Sequence, residues 1–346
     1  MIGVLGAFFL VFASLVTARP LDAASRVSVA PVQLRGAGST FDYPFFHVAF
    51  TAYSKQFGVA IKYQAVGSSA GIQQFIANKV DFGASDVPMN PTQIALASVQ
   101  GRSVAQIPVA LGGVAIAYNL PGVSTPLRFD GPTLASIFLG TITNWDDPAI
   151  AALNPGVQLP HLPILPVHRS DGSGTSYIFT DYLSTVSPPW FSRVGRNTLP
   201  AWPVGLGGNG NGGVASVLKA HPGGIAYLEL TYAIENGIPY AAVQNKTGVF
   251  MLPTPRSILV AGTEFPDINS RHYSIVNAPE ANAYPICGYS WALLRRPLGP
   301  HGAPLIALFH WLTTTGQQYA AQVHYVPLPP NVQLLATSIV ASLAQY

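Results

Sequence analysis

The chain has 346 residues, 49% of them hydrophobic and 9% charged, which supplies cores for two domains of ordinary size and argues against disorder. Its net charge of +3 comes without any run of like charges, so neither nucleic acid nor an acidic membrane is an expected partner. The 33 Gly and 31 Pro imply many turns.

At the N-terminus, Val4 to Val16 ("VLGAFFLVFASLV") form an apolar run that is short for a membrane span. Val16-Thr17-Ala18 follows with small residues suited to cleavage, and Asp22-Ala23-Ala24 gives a second, weaker site. Residues 1–24 are therefore expected to be a signal peptide, with a cut site after 18, although Met1-Ile2-Gly3 brings no Lys or Arg. The plain structural alternative is a buried helix. No later segment is long and apolar enough to span, so an exported, soluble protein is expected. The single Cys287 allows no internal disulfide, and no Cys near either cut site offers a lipid attachment point.

From residue 32 onward strand-like and helix-like segments alternate, which predicts α/β architecture with helices flanking sheets. In "GAGSTFDYPFFHVAFTAY", Ser39 and Thr40 precede an apolar helical run with Pro44 near its first turn. "VAIKYQAV" then reads as a strand, and "VGSSAGIQQFIAN" as a second Ser-led helix start at Ser68 and Ser69. This segment also contains G-x-S-x-G, the pattern of a nucleophile elbow with Ser69 as nucleophile. Pro/Gly-rich changes of texture near 106–122 and 277–290 divide the chain, so 25–110 and 284–346 are expected as domain I and 111–283 as domain II.

The third Ser/Thr-led start, "HRSDGSGTSYIFTDYL", carries Arg169 just ahead of Asp171-Gly172-Ser173-Gly174-Thr175. A planar guanidinium beside a Gly-rich helix start suits bidentate oxyanion contacts. Each of the three starts offers backbone N–H groups, hydroxyls and the positive end of a helix dipole, and three converging would bind a compact oxyanion. Taken singly, each Ser or Thr also reads as an ordinary helix cap. "GLGGNGNGG" (205–213) lacks the spacing of a P-loop or dinucleotide site and reads as tight turning or close packing. "NWDD" (144–147) reads as a helix start, and Cys287 as a buried small hydrophobe. The eight His show no metal-binding spacing, so no metal or cofactor is expected.

The phrases "GAGSTFDYPFF", "VGSSAGIQQFIANKVDFGASDVPM", "GTITNWDDPAIAALNPG", "HRSDGSGTSYIFTDYL" and "GLGGNGNGGVASVL" resemble, in order and from about residue 34 to 330, the phosphate-binding proteins of Pst-type ABC importers. The resemblance implies a two-domain periplasmic-binding-protein fold of type II, each domain a central sheet flanked by helices, closing on inorganic phosphate in the interdomain cleft. It implies a periplasmic monomer that serves the membrane permease subunits of an ABC importer and is not an enzyme. By motif position the implied phosphate contacts are Thr40, Phe41 through its N–H, Ser68, Asp86, Arg169, Ser173, Gly174 and Thr175, with Asp171 steadying Arg169. His168 departs from the family, which often has a second basic residue there, and the match loosens near 249–265.

Three alternatives accompany that reading. A hydrolase elbow needs an oxyanion hole and a placed His, but Ser69 comes too early in the chain and His310 and His324 have no motif to place them. The alternative of a secreted phosphatase on the same scaffold finds no nucleophile or metal set, and a scaffolding or adhesion role is weaker still. Asp86, in "GASDVP", is either a turn cap ahead of Pro88 or an acceptor for the proton that phosphate carries and sulfate lacks.

Overall fold

The computed structural model describes residues 1–3 and 32–345, so the expected signal peptide lies outside the described residues except for its first three. The alternation predicted from residue 32 begins with β1 (Gln33–Gly38), α1 (Tyr43–Phe57), β2 (Ala60–Ala65), α2 (Ser68–Ile76), β3 (Phe82–Ser85), α3 (Pro91–Ala97) and the long β4 (Ser103–Asn119). Next come β5 (Arg128–Phe129), α4 (Gly131–Phe138), α5 (Pro148–Leu153), β6 (Leu165–Arg169), α6 (Gly174–Val186), α7 (Pro188–Arg193), β7 (Leu206–Gly208) and α8 (Gly210–Ala220). The chain continues through β8 (Gly224–Glu229), α9 (Leu230–Glu235), β9 (Ala242–Gln244), β10 (Phe250–Met251), α10 (Pro255–Thr263), β11 (Cys287–Arg296), α11 (Gly302–Thr313) and α12 (Pro330–Ser342).

Eight strands form one sheet in the order β2-β1-β3-β11-β4-β8-β6-β7, and β10-β9-β5 form a small second sheet. β1 pairs in parallel with β2 and β3, as β6 does with β7 and β8. These parallel sets are joined by β4, whose first part (Ser103 to Gly113) lies antiparallel to β11 and whose last part (Val114 to Asn119) lies antiparallel to β8. β4 is buried from Ala105 to Tyr118, which is why its sequence is a near-continuous apolar run rather than an alternating one. The carboxyl ends of β1, β3 and β6 carry Gly38, Ser85 and Arg169, and each leads directly into a candidate site segment. Ligands of open α/β sheets bind at such strand ends.

Local chemistry accounts for the helices that follow those strands. α1 has Pro44 in its first turn and stops at Gly58, which is left-handed (φ 68°) and returns its N–H to Ser54 O. α2 follows Gly67 at φ 90°, a conformation that L side chains rarely adopt. Of the three Ser/Thr-led starts only Ser173 is a cap, accepting from Ser176 N. Asp42 and Gly67 occupy the cap positions of α1 and α2, neither with a side-chain capping bond, so Ser39, Thr40 and Ser68 are not spent on capping. The "NWDD" reading holds in part: Asp147 caps α5, while Asp146 contacts His161. Among the described residues no helix is long and apolar enough to cross a membrane. Cys287 is buried, and burial pushes its thiol up, away from reactivity.

Candidate anion-binding site

Arg169, at the end of β6, is 1% exposed. Its Nε donates to Asp171 Oδ1 at 2.7 Å and its Nη2 to Asp171 Oδ2, so one edge of the guanidinium is clamped by a two-point fork. Burial pushes the Asp171 carboxyl up, but the bonds and charge of Arg169 and the Gly210 N–H outweigh it and hold the carboxyl below its ordinary value. With that edge fixed, Nη1 reaches toward Thr175 Oγ1, at 3.4 Å. His168 adds no charge alongside: its ring stacks on Trp202 with centroids 4.9 Å apart, and burial lowers its pKa.

The start of α6 lies against the start of α2 and the end of β3. Gly174 N donates to Ser68 Oγ at 3.1 Å, and Asp86 N reaches the same oxygen at 3.3 Å. A Cβ on Gly174 would fall 2.5 Å from Asp86 Oδ2 and 2.7 Å from Ser68 Oγ, so glycine is required there by close approach. Ser39 Oγ accepts from Phe41 N at 2.8 Å and donates to Asp86 Oδ2 at 2.6 Å. Burial raises Asp86 to about 6 while Ser39, Ser290 and the charge of Arg169 pull it down. The Phe41 ring is buried edge-on against Tyr325, whose hydroxyl donates to Phe41 O, and this holds the Thr40–Phe41 backbone.

Thr40, Phe41, Ser68, Asp86, Arg169, Asp171, Gly174 and Thr175 thus meet in one hydrogen-bonded cluster, with Ser173 adjoining as the α6 cap. The cluster also contains a residue that sequence reasoning left out. Asn211, from the Gly-rich loop read as packing, donates through Nδ2 to Thr40 Oγ1 at 2.9 Å and Thr175 Oγ1 at 3.2 Å, and its Oδ1 accepts from Glu229 N. The available signal was an Asn at a Gly-rich helix start. Ser69 has no base: its N–H goes to Gly172 O and its hydroxyl to Thr198 Oγ1, which leaves the elbow pattern without a mechanism.

Chemically, the cluster brings together one guanidinium, several hydroxyls and backbone N–H groups from the starts of α6 and α8: Gly174 N donates to Ser68, Gly210 N to Asp171 and Asn211 N to Thr40, a set of donors suited to an anion. Asp86 adds a buried carboxylate, 3% exposed, whose Oδ2 accepts from Ser39 at 2.6 Å.

This fold, with its cluster of donors at the strand ends, defines a binding protein of the PBP superfamily, and a family model described as "PBP superfamily domain" matches residues 25–315. The chain is 40% identical over 306 residues to the phosphate-binding protein PstS of Xylella fastidiosa (strain 9a5c), covering 87% of this chain and 83% of that protein. It is 37% identical over 304 residues to PstS of Haemophilus influenzae, covering 86% and 90%. The chain belongs to the PstS family of phosphate-binding proteins. In fold it is similar to the phosphate-binding protein of Stenotrophomonas maltophilia, with a TM-score of 0.68 at 17% identity, covering 89% of this chain and 93% of the other.

Proposed function

We propose that this protein captures inorganic phosphate outside the cytoplasm and delivers it, as a monomer, to the membrane permease subunits of an ABC importer, with no catalysis of its own. The observation that carries this reading is the placing of a clamped guanidinium, Arg169, and a buried acceptor, Asp86, in one cluster. Arg169 and the dipoles of α2 and α6 neutralise the anion, while Thr40, Ser68, Ser173 and Thr175 offer hydroxyls, and the N–H groups of Phe41 and Gly174, which here bond to Ser39 Oγ and Ser68 Oγ, turn to the ligand on binding. Asp171 keeps the guanidinium in one orientation. Asp86 accepts the hydrogen bond of a P–OH; a fully ionised sulfate would face the carboxylate with no proton between them.

In this reading 25–110 and 284–346 make one domain, 111–283 the other, and β4 and the approach to β11 are the crossings about which they close. Ligand that touches both sides favours the closed state. Residues 1–24 direct export to the periplasm.

Calorimetric titration of the purified protein with phosphate and with sulfate, beside incubation with a chromogenic phosphate ester, tests the proposal. Heat with phosphate alone and no release of chromophore is expected. Bound phosphate should also stabilise the fold by about 2.7 kcal/mol at a hundredfold excess over Kd. Absence of any phosphate heat overturns the reading, and steady turnover of the ester replaces it with the phosphatase.

A further inference from the structure

Behind the cluster, Ser290 Oγ on β11 lies 2.7 Å from Asp42 Oδ2 and 2.7 Å from Asp86 Oδ1. A serine hydroxyl owns one hydrogen, so it can donate to one of these oxygens and only accept at the other. If both carboxyls were ionised, one of the two contacts would set lone pair against lone pair. Asp42 is 0% and Asp86 3% exposed, so that repulsion would go unscreened by solvent. One of the two acids therefore holds a proton.

The donors around each acid decide which one. Asp86 Oδ2 receives the Ser39 hydroxyl at 2.6 Å, whose lone pair is engaged by Phe41 N–H, and Ser68 adds a longer contact at 3.4 Å. The charge of Arg169 acts on Asp86 in the same sense. Besides Ser290, Asp42 has its own backbone N–H and the Tyr63 hydroxyl, at 3.0 Å on Oδ1, and that phenol has a nearer acceptor in Ser39 O at 2.9 Å. Although Asp42 sits at the cap position of α1, its side chain makes no capping bond. Tyr232, Tyr325 and Glu229, the further titratable groups of this region, are acids lifted by burial and supply no cation. Burial first, and then the charge of Asp86, also raise Asp42 well above the usual carboxylate range.

We propose that Asp42 is a neutral carboxylic acid at pH 7, that hydrogen bonds run from Asp42 to Ser290 and from Ser290 to Asp86 Oδ1, and that this relay keeps Asp86 an ionised acceptor able to read the proton of the ligand. Asp42 and Ser290 are then positioning residues, which act on the anion only through Asp86. The identity of that anion rests on the phosphate reading above; the position of the proton does not. Neutralising Asp42 also removes a negative charge that would otherwise oppose anion binding from within the core.

Infrared spectroscopy of the intact protein at pH 7 tests the proton directly. A buried carboxylic-acid C=O band is expected in wild type, lost in Asp42→Asn and retained in Asp86→Asn. A band lost in Asp86→Asn instead, or no acid band in wild type, overturns the proposal. The effect on selectivity is read from competition of labelled phosphate with sulfate in Ser290→Ala, where loss of the relay should reduce the preference for phosphate at least tenfold. An unchanged preference overturns the positioning role. Wild type that shows the Asp42 band but binds neither anion would remove the phosphate reading and leave the proton assignment standing.

Discussion

The backbone N–H of Gly174 donates to the hydroxyl of Ser68 at 3.1 Å, across 106 positions of sequence. This contact brings the N-terminus of α6 against that of α2, and so sets the two dipoles on one point. It depends on the missing side chain, since a Cβ would meet Asp86 Cβ and Oδ2 at 2.5 Å. Gly174→Ala should therefore hold the two segments apart and cost about 1 to 3 kcal/mol of phosphate binding, the usual penalty of overpacking. Calorimetry should show a loss of roughly five- to 150-fold. Wild-type affinity in this variant would mean that the contact is not needed for binding.

Arg169→Ala removes the charge-assisted fork and strands the Asp171 carboxylate beside the anion. The expected cost is about 2 to 5 kcal/mol of phosphate binding. Arg169→Lys should recover only part of it, because an ammonium cannot meet Asp171 and the ligand with one rigid plane. Full recovery by Lys in the same titration would reduce the role of Arg169 to a point charge.

Asn211→Ala leaves Thr40, Thr175 and the Glu229 N–H each short of a partner. Phosphate affinity should fall by about 1 to 3 kcal/mol, the cost of unsatisfied buried groups. Equilibrium dialysis with labelled phosphate measures it, and an unchanged Kd would return the Gly-rich loop to a packing role.

Asp86→Asn should bind phosphate within about an order of magnitude of wild type, since one hydrogen bond is altered. It should nonetheless admit sulfate, because the amide can turn a donor toward a bare oxygen. Competition at matched ionic strength checks this, and a mutant that excludes sulfate as well as wild type does would make Asp86 a turn residue.

The same residue sets a pH dependence. Asp86 is raised to about 6 in the fold, so between an unfolded value of about 3.9 and about 6 the native state keeps a proton that the unfolded chain has lost. Its contribution favours the fold at the acid end and is lost as pH rises through about 6. Rejection of sulfate runs the opposite way: it needs the ionised carboxylate, so it should be full above about 6 and weaken below. Competition at pH 5 and at pH 7.5 should show sulfate gaining at the lower value, and equal exclusion at both would place the selectivity elsewhere.

The sequence alone determined those parts of the site that are made by neighbours in the chain. Arg169, Asp171 and the Ser173-Gly174-Thr175 helix start lie within seven positions, so a strand end, a turn and a cap fix their geometry locally. The α/β alternation was legible for the same reason, because the apolar period of each segment reports the face it buries. What only the tertiary structure decided are bonds between residues far apart. Asn211 meets Thr40 across 171 positions and Ser290 meets Asp42 across 248. Those pairs depend on the order of the sheet and on the register that sets β11 between β3 and β4, which no local pattern specifies. Asp42 shows the limit most clearly: in sequence it is a polar residue before a helix, and only the packing of β2 and β11 around it turns its carboxyl inward, to Tyr63 and Ser290, instead of onto the helix it precedes.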